Sequence, residues 1–265
     1  MKIVCLKGGL GNQMFEYCRF RDLMESGNDK VYLFYDRRRL KQHNGLRLSD
    51  CFELELLSCP WGIKLVVWGL KICRAVGVLK RLYDDEKPEA VLIDDYSQHR
   101  RFIPNARRYF FFRQFLAELQ SGFVQMIRAV DYPVSVHVRR GDYLHPSNSI
   151  FGLCGVDYFQ QAIAYVRKKR PDARFFFFSD DMEWVRENLW MEDAVYVEHT
   201  ELMPDYVDLY LMTLCRGHII SNSTFSFWGA YLAVDGNGMK IYPRRWFRDP
   251  TWTSPPIFSE EWVGL

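Results

Sequence analysis

Residues 173–190 read ARFFFFSDDMEWVRENLW, and this stretch decides the fold. Side chains alternate between the two faces of a strand, so four consecutive phenylalanines cannot belong to a strand with one face in water. A run that is apolar at every position is a strand buried on both sides, the habit of parallel sheets covered by helices. The acids Asp180 and Asp181 end the strand, and Asp181 stands where a helix N-cap belongs, at the head of DMEWVRENLW.

The same alternation continues in both directions. YPVSVHVRRGDY (132–143) is a strand ending at Arg139, and VDYFQQAIAYVRKKR (156–170) is a helix with Val156, Phe159, Ile163 and Val166 on one side. AVYVEH (194–199) is a strand. PDYVDLYLMTLCRG (204–217) is a helix stopped by Gly217, HIISNS (218–223) a strand, TFSFWGAYLA (224–233) a helix and KIYPRRW (240–246) a last strand. Strands alternating with helices predict an α/β layer with a parallel sheet. Ligands of such sheets sit outside the carboxyl ends of the strands, where Arg139, Asp180 and Ser221 fall.

The first half opens in the same way. Residues 2–7 are a short strand, GGLGNQ (8–13) a turn, 14–26 a helix and KVYLFYD (30–36) a second strand. Trp61 to Leu82 reads as an amphipathic helix, with Trp68, Ile72, Val76 and Leu79 on one face and Lys64, Lys71 and Arg74 on the other. The plain expectation is a helix covering a sheet with that apolar face; a basic amphipathic helix on a membrane surface is the other. The basic, aromatic stretch 94–112 is an acceptor-side loop or a solvated connector. The two halves divide near Asp131, giving domains 1–130 and 131–265.

Composition narrows the class. The chain has 265 residues, 48% of them hydrophobic and 16% aromatic, enough for a substantial core. A net charge of +2 with scattered basic residues gives no case for a nucleic-acid binder. The seven cysteines are odd in number, irregularly spaced and without C-x-x-C, as expected of free thiols in a reducing compartment without zinc. No signal peptide or membrane span is read, so the expected location is cytoplasmic, at most peripheral at the inner face of the membrane.

Four groups could carry chemistry. In GGLGNQ, glycines between strand and helix let backbone N–H groups approach an anion or sugar, and Asn12 and Gln13 suit a hydroxyl-rich ligand. It is neither a P-loop nor a dinucleotide fingerprint, and a tight structural turn is its alternative. In HVRRGDY, Arg139 and Arg140 offer the planar fork that matches phosphate, or else a surface ion pair with Asp142. Asp180 and Asp181 could bind a metal with a diphosphate, a ribose or a guanine, though Asp181 is also a helix cap; no D-x-D occurs. Finally, SNSTFS (221–226) leads into a helix with more hydroxyls than one cap requires, which points to an anion at a helix start. Hydrolase motifs are missing.

GGLGNQMF, HVRRGDY, FFFFSDD, DLYLMTLCRGHIISNSTFSFWGAYL and YPRRWF occur in this order. Through them the chain resembles the bacterial α-1,2-fucosyltransferases of glycosyltransferase family 11, nearly end to end. The resemblance implies an α/β fold of the GT-B type, two Rossmann-like domains facing across a cleft: an acceptor-side domain over 1–130 and a GDP-fucose-binding domain over 131–265. It implies metal-independent, inverting transfer from GDP-β-L-fucose to the 2-hydroxyl of a terminal galactose, with no cofactor. The acceptor would be a galactose-terminated oligosaccharide or lipid-linked glycan, in polysaccharide biosynthesis. Arg139 would hold the β-phosphate, Arg140 and Asp142 would support the pocket, and His137 and Asp208 would meet guanine. Asp180 and Asp181 match the family's paired acids. Asn222, Ser223, Thr224 and Ser226 would meet the pyrophosphate, and Gly9, Gly11, Asn12 and Gln13 would face fucose or acceptor. Asp142 is also a candidate base, on a par with an arginine-pairing role. The sequence Asp95-Tyr96-Ser97-Gln98 stands where many relatives carry G-Y-W-Q, so acceptor preference does not carry over. The alternatives are a GT-B transferase for another nucleotide sugar and a non-catalytic binding protein.

Overall fold

The structure is a computed structural model that describes the chain except residues 28–29, 42–43, 84–86, 88, 120–121, 146–149 and 199–202, and the side chain of Asp142. It is α/β, with two compact units, Met1–Arg113 and Gln114–Leu265.

The first unit is built on a three-stranded parallel sheet of order β2-β1-β3, from β1 (Lys2–Leu6), β2 (Val31–Tyr35) and β3 (Leu92–Ile93). Helix α1 spans Leu10–Glu25 and starts four residues earlier than the sequence suggested, so Asn12 and Gln13 lie in its first turn and not on a loop. Short helices α2 (Arg37–Leu40) and α3 (Leu48–Cys51) precede α4 (Trp61–Ala75).

Helix α4 corrects the sequence reading. It covers the sheet with Val67 and Leu70, joined by half-buried Ile63, which pack against Ile3, Cys5 and Leu92. Trp68, Ile72, Val76 and Leu79, the face expected to be buried, are all exposed. The helix is apolar on two sides, and the sheet takes the side that also keeps Lys71 and Arg74 within reach of Asp94, at 3.7 and 3.5 Å. Residues 94–112 are not a solvated connector. Phe102, Ile103, Ala106, Tyr109 and Phe110 are buried, with Arg19 over the Phe102 ring at 4.1 Å and the Tyr109 hydroxyl donating to Glu25 at 2.7 Å.

The second unit begins with α5 (Gln114–Ala117) and α6 (Gly122–Arg128). Its parallel sheet has the order β6-β5-β4-β7-β8-β9. The strands are β4 (Tyr132–Val138), β5 (Ala173–Ser179), β6 (Val195–Tyr196), β7 (Gly217–Ile219), β8 (Lys240–Tyr242) and β9 (Val263–Gly264). Helices α7 (Val156–Lys169), α8 (Met182–Asn188), α9 (Tyr206–Thr213) and α10 (Thr224–Tyr231) connect them. The four phenylalanines of β5 are fully buried, as the opening stretch requires. Among the predicted strands, β8 stops before Pro243, which lacks the N–H a ladder needs; His199 of the predicted AVYVEH strand lies outside the described residues.

The chain divides at Arg113/Gln114, ahead of the 130/131 boundary read from the sequence. Leu116, Val124 and Ile127 of α5 and α6 are buried, and Phe115 meets the Tyr206 ring at 6.3 Å, so this stretch belongs to the second core.

Candidate active site

The strand order places the candidate residues. From β4 the chain moves to β5 and β6 on one side, then returns to β7, β8 and β9 on the other. The crevice beyond the carboxyl ends of β4 and β7 is therefore the topological switch point of this sheet, the usual ligand position in open α/β sheets. Arg139 and Arg140 follow β4, Asp180 and Asp181 follow β5, and residues 221–223 lie between β7 and α10.

The two arginines and two acids form a crossed clasp. Arg139 Nη1 lies 3.1 Å from Asp180 Oδ2, and Arg140 Nε lies 3.1 Å from Asp181 Oδ2. Asp180 Oδ1 also accepts the Arg140 backbone N–H at 2.8 Å. Asp181 caps α8 by accepting from Trp184 N at 3.2 Å, and the Arg140 guanidinium lies over the Trp184 ring at 4.0 Å. Arg140 and Asp181 thus tie β4 to the start of α8. Arg139 is oriented by the Asp180 carboxylate and stays one-third exposed at the strand end. The sequence reading missed Gly141. A Cβ there would come within 2.9 Å of Asp180 Oδ2, so a side chain at this position would push out the carboxylate that orients Arg139.

The hydroxyl-rich stretch divides into two functions. Asn222 is buried, and its amide donates to the carbonyls of Gly152 at 2.6 Å and Trp246 at 2.7 Å. Buried Ser226 donates back to Ser223 O at 3.0 Å, and Ser221 Oγ lies 3.3 Å from His137 Nδ1. Ser221, Asn222 and Ser226 therefore spend their polar groups inside the protein, so the pyrophosphate contacts expected of Asn222 and Ser226 side chains are not provided for. Ser223 is the N-cap of α10 with extended backbone, and its side chain makes no capping bond. With half-buried Thr224 it stands at the positive end of the helix dipole.

His137 does not present an open edge. It is buried against Ser221 and the Phe225 ring, 5.5 Å away. Burial, and then the charge of Arg139, hold its pKa down at about 3, so it is a neutral imidazole at physiological pH. Asp208 sits half-buried in the first turn of α9, which packs closely on α10; at Gly229 any Cβ would lie 2.9 Å from Met212 Cε. The side chain of Asp142 lies outside the described residues. No group of three or more His, Cys, Asp or Glu among the described residues is arranged to hold a metal ion. A cavity of about 420 Å³ lies elsewhere in this unit, lined by Cys154, Tyr158, Arg245 and Arg248 among others, and does not include Arg139 or the serine run.

In the first unit, Gly8 has φ +68°, and a Cβ there would meet Asn12 Nδ2 at 2.7 Å. Asn12 Oδ1 accepts from Gln98 Nε2 at 3.0 Å, a partner the sequence reading did not single out. Gly9 is the N-cap of α1 with no atom within 4 Å of a built Cβ, so the space above it is open. Gly11 is buried in the helix. Gln13 corrects its expected role. It is fully buried, donates to Gly8 O and Gly45 O at 2.9 Å each and accepts from Arg47 N at 3.1 Å, so it ties loops together and meets no ligand. Behind it, buried Glu16 accepts the Lys7 N–H at 2.8 Å, and burial raises its pKa well above the ordinary carboxyl range.

Residues 105–265 match the family model described as Glycosyl transferase family 11. An alpha-1,2-colitosyltransferase of Escherichia coli is 30% identical over 98% of this chain and 97% of its own length. The galactoside 2-alpha-L-fucosyltransferase SEC1 of Bos taurus is 33% identical over 50% of this chain and 38% of its own. Among solved structures, fucosyltransferase NodZ from Bradyrhizobium is similar with a TM-score of 0.55 at 16% identity, over 88% of this chain and 92% of that one. The same protein has been co-crystallised with GDP. At that identity the likeness speaks to the fold, which is the expected one.

Proposed function

The chain belongs to glycosyl transferase family 11, and from that premise we propose that it transfers L-fucose from GDP-β-L-fucose to the 2-hydroxyl of a terminal galactose, with inversion and without a metal. The observation that carries the proposal is the guanidinium of Arg139, held 3.1 Å from Asp180 at the switch point, beside the start of α10. As the bond between fucose C1 and the phosphate oxygen breaks, negative charge gathers on the β-phosphate of the leaving GDP. A preorganised guanidinium and helix N-terminus meet that charge without reorganising, an effect of roughly 3–4 kcal/mol for one well-placed donor. The sugar becomes oxocarbenium-like, and the acceptor hydroxyl attacks from the opposite face. Asp180 and Asp181 are each engaged with an arginine, which supports a role in holding the clasp in preference to one in coordinating an ion.

The 2-linkage rests on the names of two relatives, an alpha-1,2-colitosyltransferase and a galactoside 2-alpha-L-fucosyltransferase. The first of these spans nearly the whole chain, and it supports a second reading in which the donor sugar is colitose, which is fucose without its 3-hydroxyl. Incubating the protein with a galactoside and either GDP-fucose or GDP-colitose, with EDTA throughout, separates the readings. We expect an α-1,2-fucosylated product, with transfer reduced at least about a hundredfold by Arg139→Ala. Transfer from GDP-colitose alone would establish the second reading. Failure with both donors, by a folded protein that binds GDP, would overturn the transferase reading.

A further inference from the structure

Helix α4 carries an apolar stripe that is exposed, with no described residue packed over it. Trp61, Leu65, Trp68, Ile72 and Val76 recur at helical spacing and fall on one face. They are exposed by 74, 48, 67, 44 and 65%. The opposite face, with Val67 and Leu70, is packed on the sheet, so the stripe points away from the first unit's sheet. Exposed apolar area of this extent is uncommon on a soluble surface and marks an interaction site.

Charge says what covers it. Helix α4 holds three basic residues, Lys64, Lys71 and Arg74, and no acid, and Lys80 and Arg81 follow it ahead of the acids Asp84, Asp85 and Glu86. Lys71 and Arg74 face Asp94, while Lys64, Lys80 and Arg81 are exposed, the first beside the stripe and the others just beyond its end. A second copy docking through the same face would bring these cations together. An anionic surface would neutralise them, and two tryptophans in the stripe suit the headgroup boundary of a bilayer. Fifteen residues rise only about 22 Å, short of the ~30 Å hydrocarbon core, and no helix among the described residues is long and apolar enough to cross a membrane. We propose that α4 lies flat on an anionic lipid surface, with its tryptophan stripe in the headgroup layer and Lys64, Lys80 and Arg81 on the lipid phosphates. This inference is independent of the donor and acceptor assigned above.

The test is co-sedimentation of the full chain with vesicles of phosphatidylcholine alone or mixed with phosphatidylglycerol. The wild type is expected to pellet with the mixed vesicles at low salt and to be released by high salt. Trp68→Glu with Ile72→Glu, and separately Lys64→Glu with Lys80→Glu and Arg81→Glu, should each lower the partition coefficient at least about tenfold. These positions are exposed, so both variants should keep the wild-type circular dichroism and melting temperature. Wild-type protein that stays in the supernatant with mixed vesicles overturns the proposal, as does pelleting that ignores salt or both sets of substitutions. A concentration-dependent dimer, lost in Trp68→Glu with Ile72→Glu and unaccompanied by vesicle binding, would assign the face to a second copy and overturn it as well.

Discussion

Glu16 and the two buried histidines respond to pH with opposite sign. Burial raises the Glu16 carboxyl, so the folded protein keeps a proton that the unfolded chain gives up. That contribution is complete below the unfolded carboxyl pKa and is lost as pH rises through the folded one. His137 and His218, the latter bonded to Ser135 Oγ at 2.8 Å, are both held at about 3, chiefly by burial. Their unfolded forms take up protons below about 6.5, so stability is complete above that pH and is lost as pH falls toward 3. Each histidine contributes a slope approaching roughly 1.4 kcal/mol per pH unit on the acid side. Urea unfolding across the pH range should therefore show the histidine loss below about pH 6.5 and, with opposite sign, a Glu16 loss that sets in above the unfolded carboxyl pKa. Glu16→Gln should remove the loss of stability that sets in as pH rises above the unfolded carboxyl pKa, and His218→Gln should remove one of the two equal histidine contributions to the loss below about pH 6.5. Unchanged limbs in these variants would mean that neither group titrates as its surroundings dictate. None of this was legible beforehand, because a lone histidine or glutamate in the sequence does not announce its burial.

The elements that could be read from sequence are those buried on both faces or on one clearly marked face. Strands β4 and β5 and helix α7 stood out because burial on both sides, or on one clean stripe, leaves an unambiguous pattern. Helix α4 was misread because it is apolar on two faces and pattern alone cannot say which one the sheet takes. The onset of α1 was hidden by glycines that look like a turn, and the switch point depends on strand order, which no local pattern encodes. At α10 the sequence showed a surplus of hydroxyls but could not divide them between architecture and ligand. That division is testable. Asn222→Ala strands the buried carbonyl of Trp246 and the half-buried one of Gly152 and should cost about 2–4 kcal/mol. Ser223→Ala removes a hydroxyl with no capping bond and should cost no more than about 0.5 kcal/mol, while weakening GDP binding roughly tenfold. Chemical unfolding and calorimetric GDP titration of both variants decide the matter. A destabilised Ser223→Ala with unaltered GDP affinity would make the start of α10 purely structural.

For the whole molecule, the division after Arg113 assigns α5 and α6 to the second core although the sequence offers no linker there. The stretch has no run of Pro, Gly or Ser, and the boundary near Asp131 falls just ahead of the strand that starts at Tyr132. The residues still proposed to meet GDP, from Arg139 to Thr224, lie in the second unit. A fragment of residues 114–265 should therefore melt cooperatively and bind GDP on its own. A fragment of residues 131–265 gives up buried Leu116, Val124 and Ile127, each contributing roughly 1.5–3 kcal/mol when fully buried. Against a typical domain stability of about 5–15 kcal/mol, that loss should leave it unfolded or aggregated. Thermal melts and GDP titration of the two fragments test both halves of the argument. Equal stability of the two would move the boundary back toward residue 131. A folded fragment of residues 114–265 that binds no GDP would mean that the first unit supplies part of the nucleotide site.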